Sequence, residues 1–168
     1  MLILEIANVA EVHVKAPAQI SPETLQQLAQ LIAEGSEVDM SMVSRNLQNA
    51  VTIAWAQRDG VPVGVMVLKR PVPAYRDKVF DASGVSELAS QYNVEVGYAY
   101  VIPEERTTGT SMRLGRAMIS AMAGRVFATT RENNTTINKL LTFLRFQRLG
   151  NPYSSARGDY NLFLWVNS

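Results

Sequence analysis

The segment Val101-Ile102-Pro103-Glu104-Glu105-Arg106-Thr107-Thr108-Gly109-Thr110-Ser111 concentrates residue types that bind anions. It follows a β-rich run, Val94 to Ile102, which Pro103 ends. Met112, Leu114, Met118, Ile119 and Met122 then recur at helical spacing up to Gly124. The segment is therefore a strand-to-helix turn. A helix start carries backbone N–H groups without internal partners and a partial positive charge. Gly and small hydroxyl residues let phosphate oxygens approach those donors, and Arg106 adds a cationic fork. The chemistry implied is the grip of a pyrophosphate. Many strand–loop–helix turns share this composition, so the turn alone does not name the ligand.

Other chemistry is limited by what is missing. The chain has no cysteine and one histidine, His13. Thiolate nucleophiles, disulfides and Cys or His-His metal sites are excluded, and no metal is expected. A reducing cytoplasm fits this usage. His13 lies in the alternating stretch Glu11-Val12-His13-Val14-Lys15 and reads as the outward face of a strand. Carboxylates, Tyr, Ser/Thr, Lys/Arg and backbone groups must carry any reaction. The net charge of +1 conceals an asymmetry: from Arg106 to Arg157 nine basic residues meet one acid, Glu132. Such a field suits a polyphosphate or nucleic acid, and equally describes solvated helix faces.

The elements that must position the turn are legible. With 168 residues, 47% of them apolar and 18% charged, the chain is one soluble domain that buries its own core. No run is long and apolar enough for a membrane span, and Met1 to Lys15 makes a poor signal peptide. Residues 2–14 alternate as a strand. Ser21-Pro22-Glu23-Thr24 opens a helix that Gly35 stops. A short helix follows over 39–49. Runs 51–57 and 61–68 flank Arg58-Asp59-Gly60, a hairpin signal. Residues 69–91 form an irregular excursion with one or two short helices. After the strand 93–102, the turn and its helix come a strand at 125–130, a helix at 134–144, and strands near 153–156 and 161–166. The order predicts an α/β layered domain with a mixed sheet.

The turn resembles the GNAT superfamily of acetyltransferases. Their signature is Arg/Gln-x-x-Gly-x-Gly/Ala, often after Val-x-Pro; here Val101-x-Pro103 leads into Arg106-x-x-Gly109-x-Ser111. A second pattern, Asn-x-x-Ala-x-x-Leu-Tyr-x-x-x-Gly-Phe, overlies Asn134-x-x-Ile137-x-x-Leu140-Leu141-x-x-x-Arg145-Phe146 without a gap. The element order also matches, so the resemblance covers nearly the whole chain. Departures are Thr107 where a Gly often follows the Arg, Ser111 for Gly/Ala, Arg145 for Gly, and Leu141 where many members carry a tyrosine general acid. The resemblance implies a single-domain GNAT-like α/β fold over 1–168. Its mixed, mostly antiparallel central sheet would have about 6–7 strands flanked by helices, with the excursion at 69–91.

It also implies acetyl-CoA as cofactor. The pyrophosphate would sit on Arg106, Thr108, Gly109, Thr110 and Ser111, mostly through backbone donors. The pantetheine arm would pair with the backbone near Tyr100 and Val101, and Asn134 would lie near the pantetheine or substrate. Glu95, two residues before Gly97, matches a glutamate that in several members removes the amine's proton through water; otherwise it is a rim glutamate with a salt bridge. Tyr98, Tyr100, Tyr153 and Tyr160 are candidate acids or packing aromatics, with Tyr160 foremost because it opens the last strand. Asp159 beside it is a candidate substrate contact or a turn residue. The function implied is N-acetyl transfer to a primary amine by direct attack in a ternary complex. The alternatives are a non-catalytic CoA- or partner-binding module, and a GNAT-fold enzyme modifying a nucleic-acid base. The acceptor is unidentified, the excursion is its expected pocket wall, no membrane partner is expected, and the apolar run Leu162–Val166 permits a homodimer.

Overall fold

The structure, a computed structural model, describes residues 8–167. The first strand is described as β1 (Glu11–Lys15); the part expected over 2–7 lies outside the described residues. Helix α1 (Pro22–Glu34) starts where Ser21 accepts a hydrogen bond from the Thr24 amide at 3.1 Å. It stops at Gly35, a position held to glycine because the Tyr100 ring lies 2.1 Å from where a Cβ would stand. Helix α2 (Met40–Gln48) is capped by Asp39. Strands β2 (Thr52–Arg58) and β3 (Val61–Lys69) are joined through Asp59 and Gly60, at φ 51° and 78°. Positive φ at both positions gives the hairpin the turn its strand twist requires. The excursion holds α3 (Pro73–Ala82) and a short helical turn over Ser86–Gln91.

Strand β4 (Val94–Val101) leads to α4 (Thr110–Ala121), β5 (Val126–Arg131), α5 (Thr135–Phe143), β6 (Gln147–Ser154) and β7 (Asn161–Val166). The seven-stranded sheet runs β1-β2-β3-β4-β5-β7-β6. Only β4 and β5 are parallel. Helices α4 and α5 cover one face, where Leu114, Met118, Leu140 and Leu141 pack on Met66, Val96, Ala128 and Trp165. On the other face α1 and α2 bury Ile53, Val65 and Val67, and α3 buries Phe127 and Leu164 under Val79 and Phe80. Among the described residues no helix is long and apolar enough to cross a membrane.

The β4–β5 ladder is short: Val94, Glu95 and Val96 pair with Val126, Phe127 and Ala128, and pairing then ceases. Immediately beyond, β4 bulges. Gly97 is opposite Val67 and Tyr100 opposite Val65, so Tyr98 and Ala99 together face Met66. Tyr98 takes φ 49°, a left-handed conformation uncommon for a non-glycine residue. β4 continues along β3 while β5 continues along β7, so a wedge opens between them.

Two elements differ from expectation. His13 is not turned outward: it stacks on Trp55 with ring centroids 5.0 Å apart, since the two are register partners. β6 begins at Gln147, well before the expected 153. It is an edge strand with one inward aliphatic, Leu149, and carries Pro152, so no alternation marked it. Gly150 at φ 69° lets it press on the end of α3, where the Asn151 amide donates to the Ser83 carbonyl at 3.0 Å.

Helix α5 ends with Arg145 at φ 66°; the Phe146 amide donates to the Leu141 carbonyl at 2.9 Å and that of Arg145 to Thr142 at 3.0 Å. This is the position where the second pattern has glycine. Arg145→Gly is expected to stabilise the protein by about 1 kcal/mol, read as a higher urea midpoint at unchanged m-value.

Candidate functional site

The wedge forms a cleft of about 370 Å³ on the α4–α5 side of the sheet. Its floor is Ala99 and Val101 after the bulge, with Tyr100 between them reaching the Gly35 end of α1; Arg106 and Ser111 line one side, Asn134, Ile137 and Leu140 the other. Because pairing with β5 ends at Val96, the β4 edge beyond it offers backbone groups with which an extended chain can pair. Arg106 donates from Nε to the Val101 carbonyl at 3.1 Å, and its guanidinium lies 5.8 Å from the Tyr100 ring centroid.

The cleft runs to the start of α4. Gly109 precedes the helix at φ 80°, nothing lies within 4 Å of where its Cβ would be, and no side chain caps the helix. Thr108 and Thr110 turn their side chains inward instead. Their hydroxyls lie 2.8 and 3.2 Å from Glu105 Oε2 and 2.8 Å from each other, so with one proton apiece they form a short relay in which one hydroxyl donates to the carboxylate and the other donates to it or to its neighbour. Arg58 holds the other carboxylate oxygen at 2.6 Å, and Arg113 donates to Thr110 at 3.1 Å and to the Ala10 carbonyl. Glu105 is only 5% exposed. The Arg58 hydrogen bond, helped by Thr108, lowers its pKa from 4.5 to about 2. Thus the loop before α4 is tied down from inside by a buried carboxylate, and the helix start carries no side-chain cap. Sequence reasoning missed the pairing of Glu105 with Arg58, because 47 residues separate them and no short-range pattern links the hairpin to the turn.

The opposite face of the sheet, one pair before the wedge opens, carries Glu95, which is 3% exposed. Its carboxylate is held by Lys69 Nζ at 3.2 Å and by the Tyr75 hydroxyl at 3.0 Å. The Tyr153 hydroxyl is buried nearby without a partner; burial, then the Glu95 charge, pushes it up to about 12. Tyr98 accepts a hydrogen bond from Asn46 at 2.6 Å.

Tyr160 does not join Glu95. It lies in the β6–β7 hairpin with the Arg131 guanidinium 4.2 Å from its ring centroid, and Arg131 pairs with Glu37 at 3.6 Å. A separate hollow of about 440 Å³ is lined by Tyr160, Asp159 and Glu132. Asn134 lines the cleft and also caps α5, accepting from the Ile137 amide at 3.3 Å. Leu141 is buried in the core, away from the cleft lining. The structure therefore gathers Tyr100, Val101, Arg106, Ser111 and Asn134 around one cleft, with Thr108, Gly109 and Thr110 at its end.

No protein-family model matches the sequence, and no curated protein does. Solved structures do match. An acyl-CoA N-acyltransferase from Pseudomonas aeruginosa superposes with a TM-score of 0.64 at 14% identity, over 95% of this chain and 99% of the other. NAA60 of Arabidopsis thaliana in complex with acetyl-CoA gives 0.65 at 14% identity, over 93% and 98%. A GNAT-family acetyltransferase from Bacillus cereus gives 0.65 at 14% identity, over 94% and 97%. At these identities the likeness establishes a shared fold.

The Glu105 carboxylate makes stability depend on acid. Its pKa is lower in the folded chain, so its contribution is complete above 4.5 and is lost as pH falls towards about 2. Glu105→Gln is expected to flatten the slope of unfolding free energy against pH in that window by up to ~1.4 kcal/mol per pH unit, measured by urea unfolding between pH 2 and 6.

Proposed function

We propose that this chain, which has the fold of the GNAT acetyltransferases, transfers an acyl group from acetyl-CoA to a primary amine by direct attack in a ternary complex. The observation that carries this reading is the cleft between β4 and β5 ending at an uncapped helix start. The residues present fit the cofactor. The helix start and Arg106 offer donors and positive charge for a diphosphate. The free β4 edge beyond Val96 suits an extended amide-bearing arm. When bound, the cofactor supplies an acyl group activated as a thioester.

The chain's own groups then have defined tasks. Amides of Gly109, Thr110 and Ser111 grip the diphosphate, while Glu105 and Arg58 keep the loop in shape. The bulge at Tyr98 turns backbone groups into the wedge, where a main-chain N–H can bind the thioester carbonyl oxygen. An amine acceptor is protonated at neutral pH and must lose a proton before attack. Glu95 takes it, through water, because the carboxylate is almost fully enclosed. Tyr160 and Arg131, which join the β6–β7 hairpin to the α1–α2 loop through Glu37, wall the acceptor side. Buried Leu141 favours a second reading, a CoA-binding module without turnover.

Acetyl-CoA is expected to raise the melting temperature, and thiol release across an amine panel to separate enzyme from binder. Absence of both would overturn the proposal. Glu95→Gln is expected to lower kcat by about 10²–10⁴-fold with the acetyl-CoA Kd unchanged, by steady-state kinetics and titration.

A further inference from the structure

Antiparallel neighbours such as β3 and β4 need only a short hairpin between them. Here a whole insertion, residues 70–93, intervenes. Its helix α3 buries Val79 and Phe80 against Phe127 and Leu164, which anchors it on the β5–β7 part of the sheet. Its first turn brings Tyr75 over Glu95. Tyr75 is 42% exposed as a residue, yet its hydroxyl end is directed inward to the Glu95 Oε1 atom at 3.0 Å.

We infer that Tyr75 is a positioning residue for the Glu95 carboxylate, so that the β3–β4 insertion belongs to the proton-transfer apparatus. This rests on the reading of Glu95 as the base. Lys69 is the register partner of Glu95 on β3, and its Nζ reaches Oε2 at 3.2 Å. Its stem is fixed against Gly97, where an added Cβ would lie 2.5 Å from Lys69 Cε, and its Nζ sits 4.7 Å from the Tyr98 ring centroid. A carboxylate held at one oxygen can swivel about its last torsion. A second donor on the other oxygen fixes the plane and leaves one lone pair of each oxygen for an incoming proton. Tyr75 meets this need because burial and the Glu95 charge push its pKa upward, so it stays a donor across the working pH range. The titratable groups facing Glu95 are Lys69 from β3, Tyr75 from α3 and Tyr153 from β6. Tyr153 is neutral below about 12 and makes no hydrogen bond, so it does not replace Tyr75.

The test uses the full chain with Tyr75→Phe, which keeps the ring and removes one hydroxyl, beside Glu95→Gln. The amine is whichever of spermidine, free lysine and an alanine-terminated peptide releases thiol fastest. Tyr75→Phe is expected to move the acid limb of the kcat/KM profile about one pH unit higher and to lower kcat about tenfold, with the acetyl-CoA Kd within twofold. An isotope-edited infrared spectrum, with the Glu95 band assigned from Glu95→Gln, is expected to show a shifted carboxylate stretch in Tyr75→Phe without any cofactor. A wild-type band, or a shifted band with a wild-type pH profile, would overturn the inference. An unchanged rate and profile in Glu95→Gln would instead remove the base assignment, and with it the inference, even where the infrared band still moved.

Discussion

Strand β4 cannot satisfy both of its neighbours along its whole length. It pairs in parallel with β5 for three residues and antiparallel with β3 throughout, and the bulge at Tyr98 and Ala99 marks where the two demands part. A bulge bends its strand and raises local twist, so β4 follows β3 while β5 stays with β7. The conformation is not free: a left-handed tyrosine costs about 1–2 kcal/mol. Packing offsets that cost. The Tyr98 hydroxyl bonds Asn46 of α2, and Lys69 lies against its ring. The extra residue also resets the alternation of β4. Glu95 before the bulge, and Tyr98 and Tyr100 after it, all face the α1–α2–α3 side, while Ala99 and Val101 floor the cleft.

Two enclosed carboxylates frame that wedge, and both are handled alike. Glu105 is neutralised by Arg58 and bonded by two threonine hydroxyls. Glu95 is neutralised by Lys69 and bonded by a tyrosine hydroxyl. An unpaired buried charge would be strongly destabilising, so each acid comes with one cation and hydroxyl donors. The outcomes differ because the positions do. Glu105 lies inside the loop before α4 and serves its shape, leaving the helix start open. Glu95 lies where β4–β5 pairing is about to end, enclosed between Lys69 of β3 and Tyr75 of α3.

The fold was legible where local signals were strong: Ser21 and Pro22 at the start of α1, Asp59-Gly60 in the hairpin, and the apolar spacing of α4. The turn around Arg106 and Gly109 could be read as a loop that opens a helix without a side-chain cap, and Asn134 as the head of α5. Edge strand β6 was placed short, because a strand with one inward aliphatic residue carries no alternation. Tyr160 could be placed in the last hairpin from sequence, but its pairing with Arg131 depends on β5 ending beside β7, which no short-range pattern encodes.

By itself the sequence determined the kind of chemistry available. A chain with no cysteine and one histidine must work through carboxylates, hydroxyls, cations and backbone amides. It also determined where a helix could start with its amides exposed, since caps and glycines act over a few residues. Only the tertiary structure decided which side chains those groups meet. Arg58 finds Glu105, and Tyr75 finds Glu95, across chain separations of 47 and 20 residues. Such pairings are set by strand order and by where an inserted helix lands, and hydrogen bonds act only at the distances that this packing creates.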